Sequence, residues 1–313
     1  MNVLLLAAGL GTRLAPLTLK YPKPCVPFLN VPMGLYQFQY LNELSIDRLV
    51  VNTFHLPEKI RTLYKNQPYY KNEIYFSNES GKILGGGGGL KKASAYMNRN
   101  EPILLMNADE VYFTKSKTFL SKALTRHVEN KNLSTVVVIE HPEAGKKFGA
   151  LWADGLRVND ISKTAKHADL KPWHCIGPIF LSWEALDLIV EDVESNIFYD
   201  ILVPQLPNKK VEVFPITADW YETGNPHDYF EATKNVLNNL DADIHQFINK
   251  YDESRIIKNA KTTALVSKSV VLDEAQLKGT TVISKSTTSA LKNLVKDSVL
   301  FDQEILNIDY FKI

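Results

Sequence analysis

Apolar residues along most of this chain fall into two kinds of run, and each predicts an element. Val3-Leu4-Leu5-Leu6-Ala7 is unbroken, as is Ile103-Leu104-Leu105-Met106, and both read as strands buried on two faces. Arg48 to Asn52, Glu73 to Phe76 and Thr135 to Ile139 read as further strands. Between them, Leu35 to Leu44, Pro57 to Tyr64 and Leu90 to Met97 read as helices. From Phe148 to Val158 the pattern becomes that of a hairpin, with Asp154-Gly155 as its turn signal. Strands alternating with helices predict an α/β domain built on a Rossmann-like, mainly parallel sheet.

The period then changes. Leu265, Val271, Leu277, Ile283, Ser289, Val295 and Phe301 recur every six residues. Ala264, Val270, Gln276, Val282, Thr288, Leu294 and Leu300 keep a second register one position earlier. Neither a 3.6-residue helix nor a two-residue strand alternation sustains a repeat of six, whereas a hexapeptide β-helix does. The pattern divides the chain into a first domain over 1–240, a helical, acidic linker over 241–253 and a short β-helix over 254–313.

Composition narrows the class. A chain of 313 residues with 45% hydrophobic and 23% charged content can bury a substantial core. A formal net charge of +1 argues against nucleic acid or an anionic membrane as the main partner. Cys25 and Cys175 lie far apart without metal-ligand spacing and read as free thiols in a reducing cytoplasm. The apolar start lacks a positive leading segment and reads as a strand, not a signal peptide. No apolar run has transmembrane length, so no membrane insertion is expected.

Chemistry concentrates just after the first strand. Gly9 and Gly11 let the backbone turn tightly and approach a ligand. Such a loop offers N–H groups to an anion, and Arg13 and Lys23 add a planar fork and a point charge. The dinucleotide fingerprint fails because Leu14 stands at its third glycine, and no Gly-Lys-Ser/Thr follows to make a P-loop. The string Gly9-Leu10-Gly11-Thr12-Arg13-Leu14, with Pro16-Leu17-Thr18 and Pro22-Lys23-Pro24, closely resembles the G-x-G-T-R-L-x-P-L-T and P-K-P signature of the sugar-1-phosphate nucleotidyltransferases. The resemblance implies attack of a sugar 1-phosphate on a nucleoside triphosphate with loss of pyrophosphate, assisted by Mg²⁺. It makes Arg13 and Lys23 catalytic and puts Ala8, Gly9, Gly11, Thr12 and Arg13 against the nucleotide.

Mg²⁺ needs carboxylates, best placed where a central strand ends. Asp109 closes the run LLMNADEVYF and is the favoured ligand over a simple turn residue, while Glu110 is expected to point elsewhere as a structural residue. The resemblance puts the second ligand at Glu222, in Trp220-Tyr221-Glu222-Thr223-Gly224-Asn225-Pro226, where the family carries aspartate; Asp219 and Asp228 are neighbouring alternatives. Five consecutive glycines, Gly85 to Gly89, would be costly to order unless backbone must meet a flat base. In relatives this slot reads L-G-T-G-G-G, which assigns Gly85, Gly87 and Gly88 to the nucleobase and puts Gly86 in place of threonine. Lys91 and Lys92 read as a solvated helix face, and His174 as a packed or solvated histidine. On the sugar-phosphate side the resemblance points to Asn107, Lys163 (with Lys166 as competitor) and Gly177.

The expected substrates are a nucleoside triphosphate, GTP favoured and UTP admissible, and a sugar 1-phosphate, in a cytoplasmic enzyme. The family's left-handed β-helix would account for the repeat and offer a surface for a homo-oligomer. Within the family the chain looks most like mannose-1-phosphate guanylyltransferases, with N-acetylmuramate-1-phosphate uridylyltransferase or another hexose-1-phosphate enzyme as alternatives. Glu222 and the altered sugar-side segment leave a non-catalytic, nucleotide-sugar-binding regulatory subunit as the rival class.

Overall fold

The computed structural model describes residues 1–247 apart from 16, 30, 165–168, 239–242 and 245, together with the stretches 277–278, 281–282, 295–296, 298–301 and 304–307. Nine strands form the main sheet: β1 (Asn2–Leu6), β2 (Arg48–Thr53), β3 (Ile74–Asn78), β4 (Ile103–Asn107), β5 (Ser134–Ile139), β6 (Ala150–Asp154), β7 (Arg157–Ser162), β8 (Lys171–Leu181) and β9 (Val211–Pro215). Their order is β3-β2-β1-β4-β8-β5-β9-β7-β6. The longer helices are α1 (Pro57–Lys65), α2 (Gly85–Ala93), α3 (Phe119–Glu129) and α4 (Pro226–Asn238).

The unbroken apolar runs do what two-sided burial requires. In β1, Val3 and Leu5 join the core on one face of the sheet, and Leu4 joins the core on the other. In β4, Leu104 and Met106 take the first face and Ile103 and Leu105 the second. Each such aliphatic side chain contributes about 1.5–3 kcal/mol by leaving water. The first half of the sheet is parallel as expected, with β1 between β2 and β4. The second half is mixed, with β9 parallel to β5 and the other pairings antiparallel. The long strand β8 runs antiparallel to β4 and β5, and β6 and β7 form the predicted hairpin, with Asp154 opposite Arg157. Alternation of apolar residues reports burial and says nothing of strand direction, so the mixed sheet was invisible to it.

Chain connections put β2 and β3 on one side of β1 and β4 on the other, which creates a crevice at the carboxyl ends of β1 and β4. A small antiparallel ribbon, Val111–Phe113 with Asp219–Tyr221, then brings residues far along the chain beside that crevice. α4 follows directly. Asn225 accepts the Asp228 N–H through Oδ1 at 2.9 Å as its cap, and Pro226 takes the first helical position.

Two stretches assigned to the linker belong to the first core. Ile244 and Phe247 are buried, and the Phe247 ring stacks on Tyr69 with centroids 4.8 Å apart. Most of the six-residue repeat, including Leu265, Val271, Ile283 and Ser289, lies outside the described residues. Within it, Leu277 pairs in parallel with Val295 and Thr281 with Val299, an offset of 18 residues in both cases. The last pairing, Ser298–Phe301 with Glu304–Asn307, is antiparallel and therefore a hairpin.

Candidate active site

The crevice holds a cleft of about 350 Å³, within the range of small-ligand sites. Its first wall is the loop after β1. Gly11 adopts φ +63°, and a Cβ there would press on Thr18 Cγ2 at 2.8 Å, so the turn demands glycine. Thr18 Oγ1 pins the turn by donating to the Gly11 carbonyl at 2.8 Å. Ala8, Gly9, Gly11 and Arg13 line the cleft, with Arg13 on a short 3-10 turn, Thr12–Leu14. Thr12, expected at the nucleotide, is exposed and lies off the lining.

Lys23 enters from a second 3-10 turn, Lys23–Cys25, started by Pro22 and Pro24. Its Nζ sits 3.0 Å from Asp109 Oδ2. Burial lowers the affinity of this ammonium for its proton, but Asp109, Glu110 and Glu222 outweigh it and hold the pKa above the ordinary lysine value. Lys23 is therefore a committed cation facing three carboxylates.

Those carboxylates come from two segments. Asp109 and Glu110 follow β4, and Glu222 follows the ribbon strand Asp219–Tyr221. All three line the cleft. The segments are tied where Thr223 Oγ1 donates to the Asp109 carbonyl at 3.5 Å. Glu222 Oε1 accepts the Gly224 N–H at 2.6 Å, and a Cβ on Gly224 would collide with that carboxylate and with Arg13 Nη2. Among the described residues no three His, Cys, Asp or Glu converge as a metal cage. Two oxygen-donating carboxylates, Asp109 and Glu222, on the lining of one cleft do meet the modest demand of Mg²⁺, which keeps waters and takes phosphate oxygens.

Glu110 contradicts the expectation that it points elsewhere. Its Oε2 accepts from Trp220 Nε1 at 2.8 Å and its Oε1 from Asn107 Nδ2 at 3.2 Å. Burial raises its pKa, and the nearby Asp109 raises it further. Gly177 makes the room: it lies in a bulge of β8 at φ +118°, and a Cβ there would meet Glu110 Cγ at 3.3 Å. Gly177 thus stands behind Glu110 and off the lining, whereas Asn107 lines the cleft itself. Trp220 packs in turn against His174, His141 and Phe148, with the His174 ring 4.4 Å away. Lys163 is exposed and lies off the lining, because the chain leaves β7 there, and Lys166 lies outside the described residues.

The second wall corrects the reading of the glycine run. All five glycines lie in α2, and only Gly85 and Gly86 line the cleft. Gly87 and Gly88 face away. Gly87 donates its N–H to the Ser195 carbonyl at 2.8 Å, and a Cβ on it would strike Ser195 Oγ. A Cβ on Gly88 would strike the Val193 carbonyl, and one on Gly89 would lie 2.7 Å from Glu79 Oε1. Close protein packing, not a base, accounts for these three. Gly86 has ordinary space, with Leu6 Cδ1 at 3.6 Å.

Sequence reasoning missed Asn52, Glu79 and Trp220, all of which line the cleft. Asn52 and Glu79 sit at the ends of β2 and β3, and their only local signal is a polar residue closing an apolar run.

Comparison with known proteins shows the family and the fold. The profile of the family described as Nucleotidyl transferase matches residues 2–239. A UTP–glucose-1-phosphate uridylyltransferase of Synechocystis is 26% identical over 250 residues, covering 76% of this chain and 63% of its own length. A mannose-1-phosphate guanyltransferase of Saccharomyces cerevisiae is 31% identical over 254 residues, covering 77% of this chain and 66% of its own. The chain thus spans slightly under two-thirds of the length of these relatives. The fold matches UDP-glucose pyrophosphorylase from Acinetobacter baumannii with a TM-score of 0.65 at 16% identity, over 80% of this chain and 97% of that one. The match covers well over half of the residues, so this chain belongs to the nucleotidyl transferase family.

Proposed function

We propose that the protein joins a nucleoside triphosphate and a sugar 1-phosphate, giving a nucleotide sugar and pyrophosphate, with GTP and mannose 1-phosphate as the preferred pair. One observation carries the reaction class: Arg13 and Lys23 share a single cleft with Asp109 and Glu222, at the carboxyl ends of β1 and β4. In this reading an oxygen of the sugar phosphate forms a bond to the α-phosphorus, and the bond from that phosphorus to the departing pyrophosphate breaks. Both reactants are polyanions, so the work is positioning and charge neutralisation. Arg13 faces the triphosphate from the glycine loop, and Lys23, held protonated, neutralises phosphate charge beside Asp109. Asn107 and Glu110 line the acceptor side. Asp109 and Glu222 would hold Mg²⁺, which when bound adds charge neutralisation to the phosphates.

The guanylyl preference draws on the yeast relative, and the cyanobacterial relative keeps uridylyl transfer as the second reading. For the C-terminal part, the offset of 18 residues between paired strands equals three hexapeptides, which supports a β-helix coil. Pyrophosphate release measured over a matrix of GTP, UTP, ATP and dTTP against several sugar 1-phosphates tests the reaction and its substrates. The expected result is turnover fastest with GTP and mannose 1-phosphate. Silence in every cell, with nucleotide sugar still bound, would favour the regulatory-subunit reading instead.

A further inference from the structure

We infer that Asn52 and Glu79 form a brace that sets the spacing between the two walls of the cleft, which makes Glu79 a positioning residue for the nucleotide. The inference rests on the cleft being the nucleotide site, as proposed above. The brace runs from wall to wall in three hydrogen bonds. Ala7 N, at the root of the glycine loop, donates to Asn52 Oδ1 at 2.6 Å. Asn52 Nδ2 donates to Glu79 Oε1 at 2.7 Å. Leu84 N, the residue before α2, donates to Glu79 Oε2 at 2.7 Å. Glu79 is itself fixed, because its N–H donates to the Thr53 carbonyl at 2.8 Å.

The cost of this arrangement argues for a purpose beyond filling space. Both side chains are only 2% exposed. Burying a carboxylate is unfavourable unless it is paired, and Lys92 offsets only part of that cost for Glu79, whose pKa burial still raises. Apolar residues would pack such a site at less cost. A carboxylate here does what they cannot: it accepts from two donors on different segments at once and so fixes the distance between them. The brace also bears on α2, since a Cβ on Gly89 would come within 2.8 Å of Asn52 Nδ2. Both residues border the cleft itself, so a change in their bonding shifts Ala7–Gly11 relative to Gly85 and Gly86.

The middle bond can be inverted, which gives a rescue test. Glu79→Gln alone sets an amide against the Asn52 amide or against Leu84 N. Asn52→Asp alone sets two carboxylates together. In the double variant Asn52→Asp/Glu79→Gln, the new amide donates to the new carboxylate, Ala7 N still finds an acceptor, and so does Leu84 N. Titration calorimetry with GTP and UTP in Mg²⁺, and steady-state KM for each substrate, read the outcome. Each single variant should weaken nucleotide binding and raise the nucleotide KM about tenfold, the size expected for one buried bond lost. The KM for mannose 1-phosphate should stay unchanged, and the double variant should return to within about threefold of wild type. Single variants that lose thermal stability yet bind nucleotide normally would reduce the pair to a packing feature and overturn the inference alone. A double variant no better than the singles, or one whose preference between GTP and UTP has changed, would also overturn it, the latter by showing Glu79 reading the base. Wild-type protein that binds neither nucleotide would overturn the inference together with the proposed function.

Discussion

The contact of Lys23 Nζ with Asp109 Oδ2 at 3.0 Å sets what each residue does when the other is removed. Asp109→Asn takes away the main counter-charge of Lys23 and, on the proposed reading, one carboxylate of the Mg²⁺ site. Turnover should fall by about 10²–10³-fold with the fold intact, checked by pyrophosphate release and circular dichroism. Glu222→Asp should keep measurable activity, and Glu222→Ala should not; equal activity in the two would remove Glu222 from the metal. Lys23→Met should be as severe as Asp109→Asn, whereas Lys91→Met should be nearly silent, since Lys91 reaches the Leu186 carbonyl and lies off the cleft. Comparable losses in the two lysine variants would show the phosphates to be elsewhere. Arg13, Lys23 and Asp109 were legible because contiguous residues carry their chemistry: a glycine turn, two prolines around a cation, an aspartate closing an apolar run. Asn52 and Glu79 were not, because what joins them to each other and to the glycine loop are bonds across 27 and 45 residues of chain.

At the scale of elements, α2 is the least expected object in the molecule. Glycine disfavours a helix by about 1 kcal/mol per residue relative to alanine, so five at its start would ordinarily read as loop. The helix keeps its glycines because neighbouring atoms approach it more closely than a Cβ permits, the Val193 and Ser195 carbonyls on one side and the Glu79 carboxylate on another. This separates the glycines by experiment. Gly88→Ala should lower the melting temperature, at a cost of about 1–3 kcal/mol from forced overlap with a carbonyl. Gly86→Ala has room and should stabilise by about 0.5–1 kcal/mol. Thermal unfolding of the two variants decides the matter, and a destabilised Gly86→Ala would mean that this position needs glycine for another reason. Composition alone carried no trace of the Val193–Ser195 segment, and so the packing cause could not be read beforehand. The same limit hid the antiparallel course of β8, since direction is set by partners and not by alternation.

Across the whole molecule, the candidate site and the main source of acid sensitivity sit at opposite ends of the sheet. Glu212, near the start of β9, accepts from Arg126 Nε at 2.7 Å and Asn132 Nδ2 at 3.0 Å and pairs with Lys210 at 3.1 Å. Burial pushes its pKa up, but these donors win and bring it down to about 2. His127, bonded to the same Thr135 hydroxyl as Asn132, is held neutral by burial, with a pKa lowered to about 4. Both folded values lie below the unfolded ones, so both contributions are present at neutral pH. That of His127 is lost as pH falls from about 6.5 to 4, and that of Glu212 as it falls from about 4.5 to 2. Melting temperature should therefore drop below pH 6.5, and Glu212→Gln should flatten the part of the curve below pH 4.5; an unchanged curve would deny Glu212 this role. A cut after residue 240 should expose Tyr69 and destabilise the domain, whereas a cut after residue 252 should preserve the nucleotide site, as melting and calorimetry would show. Phe247 also closes on Tyr36, with centroids 5.2 Å apart. During synthesis Tyr36 leaves the ribosome long before its partner, and at 5–20 residues per second the wait is on the order of 10–40 s. For that interval the nascent chain carries an open aromatic face, and its final closure belongs to the last stretch of the domain to be translated.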